Sequence, residues 1–323
     1  MVLPEDLSNA LEKQFSKIPR SVLAAAAADL TNRYRSPVRD QLQTFITSDH
    51  HRLAYLAARM PATYAVVHRV LEECRNRRPE FSPGTMCDIG AGPGTATWAA
   101  LTVCPEIASV TLYEKDPEWL QLGKSLMEQS TQPALKNAKW KETDLAREFT
   151  LGAHDLVVLS YVVGELSAEA LTAAVSQAWE AATQMLVVIE PGTPHGFERI
   201  RSVREQLIRA GGFLVAPCPH QDRCPMAGGD WCHFAKRLER SSLHMAVKDV
   251  SVGYEDEKYS YVVASKTPVA LPEARILRHP QHHSGHTEFV LCTKAGLEKR
   301  TLSRRHKDLY KRAKKLEWGD VLE

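Results

Sequence analysis

No apolar run in the sequence is long enough to cross a bilayer: Leu156 to Leu159 and Met185 to Ile189 are among the longest, where a spanning helix needs about twenty residues. The N-terminal stretch MVLPEDLSNALEKQF lacks a charged segment followed by an apolar one, so no secretory signal is read there. Internal repeats and low-complexity tracts are also missing. A disulfide framework is disfavoured, because seven cysteines are an odd number in a chain without a signal. What remains is ordinary globular composition: 323 residues, 44% hydrophobic and 25% charged, enough for one large or two modest domains. The expectation is a soluble monomer with no membrane partner. It would be cytoplasmic, or mitochondrial if a presequence has been removed.

Formal net charge is only +2, but it is unevenly spread. Lys294 to Lys315 holds ten Lys or Arg against Glu298 and Asp308, a basic block that calls for a partner. Residues 5–79 read as helical, with an alanine run at Ala24 to Ala28, apolar recurrence from Asp40 to Arg75, and breaks at Pro37 and Pro61. From Thr85 the period changes. The runs TMCDIGAG, SVTLYEKD, DLVVLSYV and MLVVIEPG alternate with helical stretches, which predicts a parallel sheet covered on both faces. A helix from about Phe197 ends at Gly211 and Gly212, and PCPHQDRCPMAGGDWCHF is too rich in Pro, Gly and Cys to be regular. KYSYVVASK and TEFVLCTK then read as late strands of the same sheet.

The run Asp88-Ile89-Gly90-Ala91-Gly92-Pro93-Gly94 follows an apolar strand and precedes the helical TATWAALTV. Glycines at these positions let the backbone turn sharply and approach a ligand. Their G-x-G-x-G spacing, after Asp88, resembles motif I of class I S-adenosylmethionine-dependent methyltransferases, a Rossmann-like α/β fold whose loop cradles the amino-acid part of the cofactor. Glu114 ends the next strand about twenty residues on, where a carboxylate can accept both ribose hydroxyls. Asp144 lies where that family places an acid facing the adenine; a helix N-cap is the competing reading. Cofactor binding is therefore assigned to Asp88, Gly90, Ala91, Gly92, Gly94, Glu114 and Asp144.

The acceptor side is poorer. The fourth strand ends Ser160-Tyr161-Val162-Val163, without the Asn/Asp-Pro-Pro-aromatic motif of many amino-methylating relatives, and no Pro-Cys dipeptide supplies the nucleophile used on cytosine C5. Tyr161 and Glu165 are the catalytic candidates, with Glu190 also able to line the pocket.

Cys218, Cys224 and Cys232 fall within fifteen residues of the Pro/Gly-rich segment, and Cys292 sits on a later strand. Four soft thiolates complete either a tetrahedral zinc site or a four-iron cluster. The C-x5-C-x7-C spacing is wider than the usual zinc knuckle and suits the larger object better, with His220 or His233 able to replace one cysteine. Cys74, Cys87 and Cys104 read as buried small hydrophobes.

DIGAGPGT, IEPGTPHGF, PCPHQDRCPMAGGDWCHF, YSYVV, EFVLC and WGD, with TNRYR and AYLAARMPATYAVV near the start, resemble the methyltransferase-like proteins of the mitochondrial small ribosomal subunit and their bacterial relatives. The resemblance implies an assembly factor that binds small-subunit rRNA in the precursor particle and supports translation. It implies S-adenosylmethionine in the core and a [4Fe-4S] cluster on Cys218, Cys224, Cys232 and Cys292; active rRNA methylation, with zinc or iron–sulfur as a structural site, is the alternative. RNA contact falls to Lys299, Arg300, Arg304, Arg305, Lys307, Lys311, Arg312, Lys314 and Lys315, interleaved with Tyr310 and Trp318. The expected organisation is a helical region over residues 1–80, a methyltransferase core over 81–210, a cysteine-rich insertion over 211–250, the last core strands over 251–297 and a basic tail over 298–323.

Overall fold

The computed structural model describes residues 3–16, 18–35, 46–147, 149–248 and 250–323; the expected break at Pro37 and the start of the Asp40 to Arg75 recurrence lie outside them. The first half of the chain forms α1 (Glu5–Phe15), α2 (Arg20–Arg35), α3 (Asp49–Ala58), α4 (Met60–Arg77), β1 (Thr85–Ile89), α5 (Thr95–Val103), β2 (Ser109–Glu114), α6 (Pro117–Met127), α7 (Pro133–Lys136), β3 (Lys139–Glu142) and β4 (His154–Ser160). The second half continues with α8 (Ala168–Ala181), β5 (Ala182–Pro191), α9 (Pro194–Arg209), β6 (Phe213–Ala216), β7 (Phe234–Glu239), α10 (Ser242–Lys248), β8 (Tyr254–Ser265) and β9 (Ala274–Ile276). It closes with β10 (Gln281–His282), β11 (His286–Thr293), β12 (Gly296–Ser303), α11 (Lys307–Ala313) and β13 (Val321–Leu322). Two compact units result: Met1–Glu72 with Ser82–Thr183 and Lys236–Glu257, and Glu73–Phe81 with Gln184–Ala235 and Lys258–Glu323.

In the first unit, β1 pairs in parallel with β2 and with β4, and β2 with β3. The runs MCDI, VTLYE and LVVL are buried almost throughout, because a parallel strand covered by helices has no wet face. Helix starts follow from capping chemistry: Asp116 accepts from the Glu118 and Trp119 amides with Pro117 at the first turn of α6, and Ser167 accepts from Ala170. Asp155, at the start of β4, accepts from the Gly84 and Thr85 amides and from the Thr85 and Thr183 hydroxyls, so it fastens strand ends. The alanine run packs as small residues allow: Ala26 and Ala27 of α2 meet Ala54, Ala57 and Ala58 of α3 and Val247 of α10. The helical N-terminus is tied to the strands' own helices, with Arg52 reaching Asp116 at 2.8 Å and Tyr64 donating to Thr102 at 3.0 Å.

In the second unit, β8 lies between β5 and β6 and is antiparallel to both, with Val188 opposite Val262 and Leu214 opposite Ala264. The strand order of the mixed sheet is β3-β2-β1-β4-β5-β8-β6, the α/β architecture expected for a class I methyltransferase core. KYSYVVASK is one of its strands. TEFVLCTK is not: as β11 it belongs to a separate antiparallel sheet, β10-β11-β9-β13, with β12 on its free edge. The reason is visible in the pattern. β11 alternates buried residues with half-buried or exposed ones and β12 half-buried with exposed ones, which suits a sheet wetted on one face, and Phe289, Leu291, Leu302, Ala313 and Leu322 lie in its core. The basic tail is therefore folded: β12 pairs with β11 from His286↔Ser303 to Thr293↔Gly296. The irregular cysteine segment is also shorter than expected. It ends at β7, and Lys236–Glu257 groups with the first unit.

Arg275 on β9 is 2% exposed. It donates to the Glu73 carboxylate, to the Pro217 carbonyl at 2.8 Å and to the Gly319 carbonyl at 2.5 Å, while Tyr261 donates to the other Glu73 oxygen at 2.8 Å. One guanidinium thus joins the end of α4, the cysteine segment and the C-terminal turn. Glu73→Ala strands that charge in the interior, and a loss of about 3–5 kcal/mol is expected; urea unfolding of the variant beside the parent checks it.

Candidate cofactor loop and cysteine pocket

The turn after β1 holds Gly90, Gly92 and Gly94 at φ of 67°, 53° and 81°, a region in which L side chains are strained. A Cβ on Gly90 would stand 2.2 Å from a Val162 methyl, whereas one on Gly92 would meet nothing within 4 Å. The loop is thus packed below and open above Gly92. Glu114, 7% exposed at the end of β2, accepts from the Gly92 amide at 2.7 Å and from the Asp116 amide at 2.9 Å. Burial pushes its carboxyl up, and these two amides pull it back. A buried carboxylate beside open space over a glycine turn fits the ribose and amino-acid portions of S-adenosylmethionine.

Other predicted cofactor residues have local duties. Asp88 is 1% exposed and accepts from the amide and hydroxyl of Thr97, 3.2 and 2.9 Å away, pinning the first turn of α5. Ala91 donates to the Tyr113 carbonyl inside the turn. Asp144 accepts from the Ala146 amide at 3.0 Å and pairs with Arg147 at 3.3 Å, the geometry of a local cap. Tyr161 follows β4 with φ 59°, a left-handed backbone on a non-glycine residue, and Val162 beside it fills the space under Gly90. Glu165 points to Lys115 at 3.1 Å, both side chains 53% exposed. Glu190 is 1% exposed and pairs with Arg199 at 3.5 Å.

Cys218, Cys224, Cys232 and Cys292 line one pocket of the second unit, with Arg204, His220, Met226 and Arg275 among its walls. Phe197, Met226 and Leu277 supply an apolar floor. The sulfurs feel one another: burial first, then Cys218, Cys224 and Cys292, push the Cys232 thiol well up, and Cys292 is pushed up to about 12 by burial and then by Cys218 and Cys224. Cys232 is held by its backbone, whose carbonyl accepts from Ser260 at 2.8 Å, and Trp231 donates to the Gly192 carbonyl at 3.0 Å. His220, 4% exposed, reaches Cys292 with Nε2 at 3.5 Å. His233 is instead stacked on Trp231 and edged by Trp318. Cys74, Cys87 and Cys104 are buried, as expected of small hydrophobes.

Arg204 escaped the sequence reading. On α9 it looks like one more polar residue of an amphipathic helix, yet it is 3% exposed. Its Nε donates to the Cys218 sulfur at 3.3 Å, and Nη2 donates to the carbonyls of His220 and Asp222 at 3.0 and 2.7 Å. Among the described residues, His283, His286 and Glu288 form a further set, with ligand atoms all within 4.8 Å of one another.

The sequence comparisons place this site in a family. Residues 49–323 match the family described as mitochondrial small ribosomal subunit Rsm22. The chain belongs to the Rsm22 family. Two relatives by sequence are the Homo sapiens mitochondrial ribosome assembly protein METTL17, 27% identical over 84% of this chain and 62% of that protein, and the Schizosaccharomyces pombe mitochondrial Rsm22-cox11 tandem protein 2, 24% identical over 98% and 49%. This Rsm22 chain thus spans about half to three fifths of the length of these relatives. Among solved structures, a putative RNA methyltransferase of Pyrococcus horikoshii is 15% identical, covering 77% of this chain and 96% of its own at a TM-score of 0.40. Magnesium protoporphyrin IX methyltransferase of Synechocystis with bound S-adenosylmethionine is 13% identical, covering 83% and 100% at 0.41.

The basic residues of this Rsm22 chain divide. Arg300 is engaged by Glu273 and Glu298, at 2.5 and 2.6 Å. Arg304, Arg305, Lys307, Lys311, Arg312, Lys314 and Lys315 are exposed on and around α11, Lys311 pairing with Asp308 at 3.1 Å. Tyr310, expected to stack on bases, is 7% exposed, because it sits on the inward face of α11 with buried Ala313.

Asp88 supplies a pH test. Burial, against the opposing Thr97 bonds, raises its carboxyl from 3.8 to about 7. The folded state therefore holds the proton more tightly, so this group's contribution is fully present below about pH 4 and is lost as pH rises to about 7. Asp88→Asn is expected to flatten the fall in melting temperature across that window, read by calorimetry at matched ionic strength.

Proposed function

We propose that this chain is a small-ribosomal-subunit assembly factor that binds S-adenosylmethionine at the Gly90–Gly94 turn, holds a [4Fe-4S] cluster on Cys218, Cys224, Cys232 and Cys292, and contacts small-subunit rRNA or its precursor particle through the basic surface of α11. The carrying observation is the cysteine pocket with Arg204 in its wall. A buried guanidinium that meets carbonyls and a sulfur calls for negative charge nearby, and four thiolates on a divalent metal or a cluster of charge +2 leave a net charge of −2. The wide C-x5-C-x7-C spacing of Cys218, Cys224 and Cys232 favours the larger occupant over a single zinc. When bound, such a cluster joins segments far apart in sequence, so that its loss weakens the unit that carries the basic helix.

Glu114 would accept the ribose hydroxyls and the backbone around Gly92 would face the amino-acid part of S-adenosylmethionine. Exposed cations around α11 suit phosphate contacts. The names of the relatives support a ribosomal role and a mitochondrial place for the protein. A second reading, an rRNA methyltransferase, draws on Tyr161: a left-handed non-glycine residue next to the cofactor turn is the kind of strained position found at active sites.

Anaerobic purification with iron, sulfide and zinc counted per chain tests the first reading. About four irons and four sulfides are expected, lost in Cys224→Ser together with co-sedimentation with small subunits; one zinc per colourless chain that still co-sediments overturns the cluster. Mass analysis of small-subunit rRNA from a deletion strain separates the second reading. A missing methyl group restored by the parent chain but not by Glu114→Ala would make it an enzyme, whereas unchanged methylation is expected for an assembly factor.

A further inference from the structure

The tip of the β10–β11 hairpin carries a second, chemically different ligand set. His283 and His286 flank the two-residue turn Ser284-Gly285, closed by the His283 amide donating to the His286 carbonyl at 2.9 Å. Glu288 lies two residues beyond His286 on β11, hence on the same face of the strand. Their ligand atoms all lie within 4.8 Å of one another, and His286 Nε2 is 3.4 Å from a Glu288 oxygen.

Two features of the fold make this more than a chance surface cluster. The scaffold is rigid, because β11 is paired along its whole length with β12 and over residues 291–293 with β9. The neighbouring histidine is diverted, since His282 Nδ1 is bound to the Thr287 hydroxyl at 3.2 Å on the other face. The rings of His283 and His286 are stacked, with centroids 4.4 Å apart and planes at 18°. Two parallel rings share no in-plane point, so ligation requires at least one to turn about χ2. Both side chains are at the surface, His283 exposed and His286 39% exposed, so solvent leaves room for that turn. The turn is also wired to the basic surface: the Arg304 amide donates to the Gly285 carbonyl at 3.1 Å and its guanidinium to the Ser284 carbonyl at 2.7 Å.

We propose that His283, His286 and Glu288 form a surface site for a divalent transition ion of the zinc, cobalt or nickel type. Two borderline imidazole nitrogens and one harder carboxylate oxygen suit such ions, with open positions left for water. The site is independent of the cysteine pocket, from which it differs in ligand chemistry, and it acts as a clasp that fixes the turn from which Arg304 is held. Neither the glycine turn nor the thiolates take part.

Cobalt(II) distinguishes the two sites, since nitrogen–oxygen ligation gives only weak visible bands whereas thiolate ligation adds an intense near-ultraviolet charge-transfer band. The probe is cobalt(II) chloride added anaerobically to the full chain whose cysteine site is already filled. One cobalt per chain is expected, with weak visible bands and no thiolate band. His286→Ala should abolish it, and Glu288→Gln should weaken it about tenfold or more. Both substitutions are at the surface, and an unchanged circular dichroism spectrum confirms that each variant is folded. Equal binding by His286→Ala, binding seen only with a thiolate band, or no binding up to millimolar cobalt would each overturn the proposal.

Discussion

A guanidinium buried to 2 or 3% exposure must find its counter-charge and its acceptors inside the protein, and the second unit is arranged around two of them. Arg275 meets Glu73, Pro217 and Gly319; Arg204 meets Cys218, His220 and Asp222. Each reaches the cysteine segment from a regular element, β9 in one case and α9 in the other. A stretch with no helix or strand between Pro217 and His233 is thereby given a fixed course, with its backbone carbonyls used as acceptors. Their partners differ: Arg275 is paired with the Glu73 carboxylate, whereas Arg204 meets carbonyl dipoles and the Cys218 sulfur.

The first unit obeys a different constraint. Its central parallel strands β1, β2 and β4 are buried on both faces, and acidic side chains at or just past strand ends close turns and helices there: Asp155 on Gly84 and Thr85, Asp88 on Thr97, Asp116 on α6. Glu114 does the same for Gly92 and Asp116, and a Cβ on Gly92 would meet nothing within 4 Å. Val162 packs under Gly90, so the strand end beneath the turn is already filled.

Much of this was legible in the residues. Near-continuous apolar runs marked β1, β2, β4, β5 and β8. The glycine turn and Glu114 were readable because their spacing along the chain is imposed by one strand–helix–strand unit. The four cysteines were readable as a set because thiols in a Pro/Gly-rich stretch have no apolar core to enter. The family followed from motifs spread over nearly the whole chain, from TNRYR to WGD, and the family model matches residues 49–323.

Tertiary structure alone decided the rest. TEFVLCTK has the apolar content of a core strand, and nothing local says that it joins a second sheet; that depends on its pairing with β12 and β9, whose residues are distant or read as a basic tail. Arg204 and Arg275 look like surface cations in one dimension, since burial is a property of what packs around a side chain. Tyr310 lost its expected base-stacking role for the same reason, and His283, His286 and Glu288 became neighbours only when a two-residue turn folded the strands together. The sequence by itself determined element types and the glycine turn, because both depend on residues near in the chain; which charges are buried and which sheet a strand joins was settled by long-range pairing.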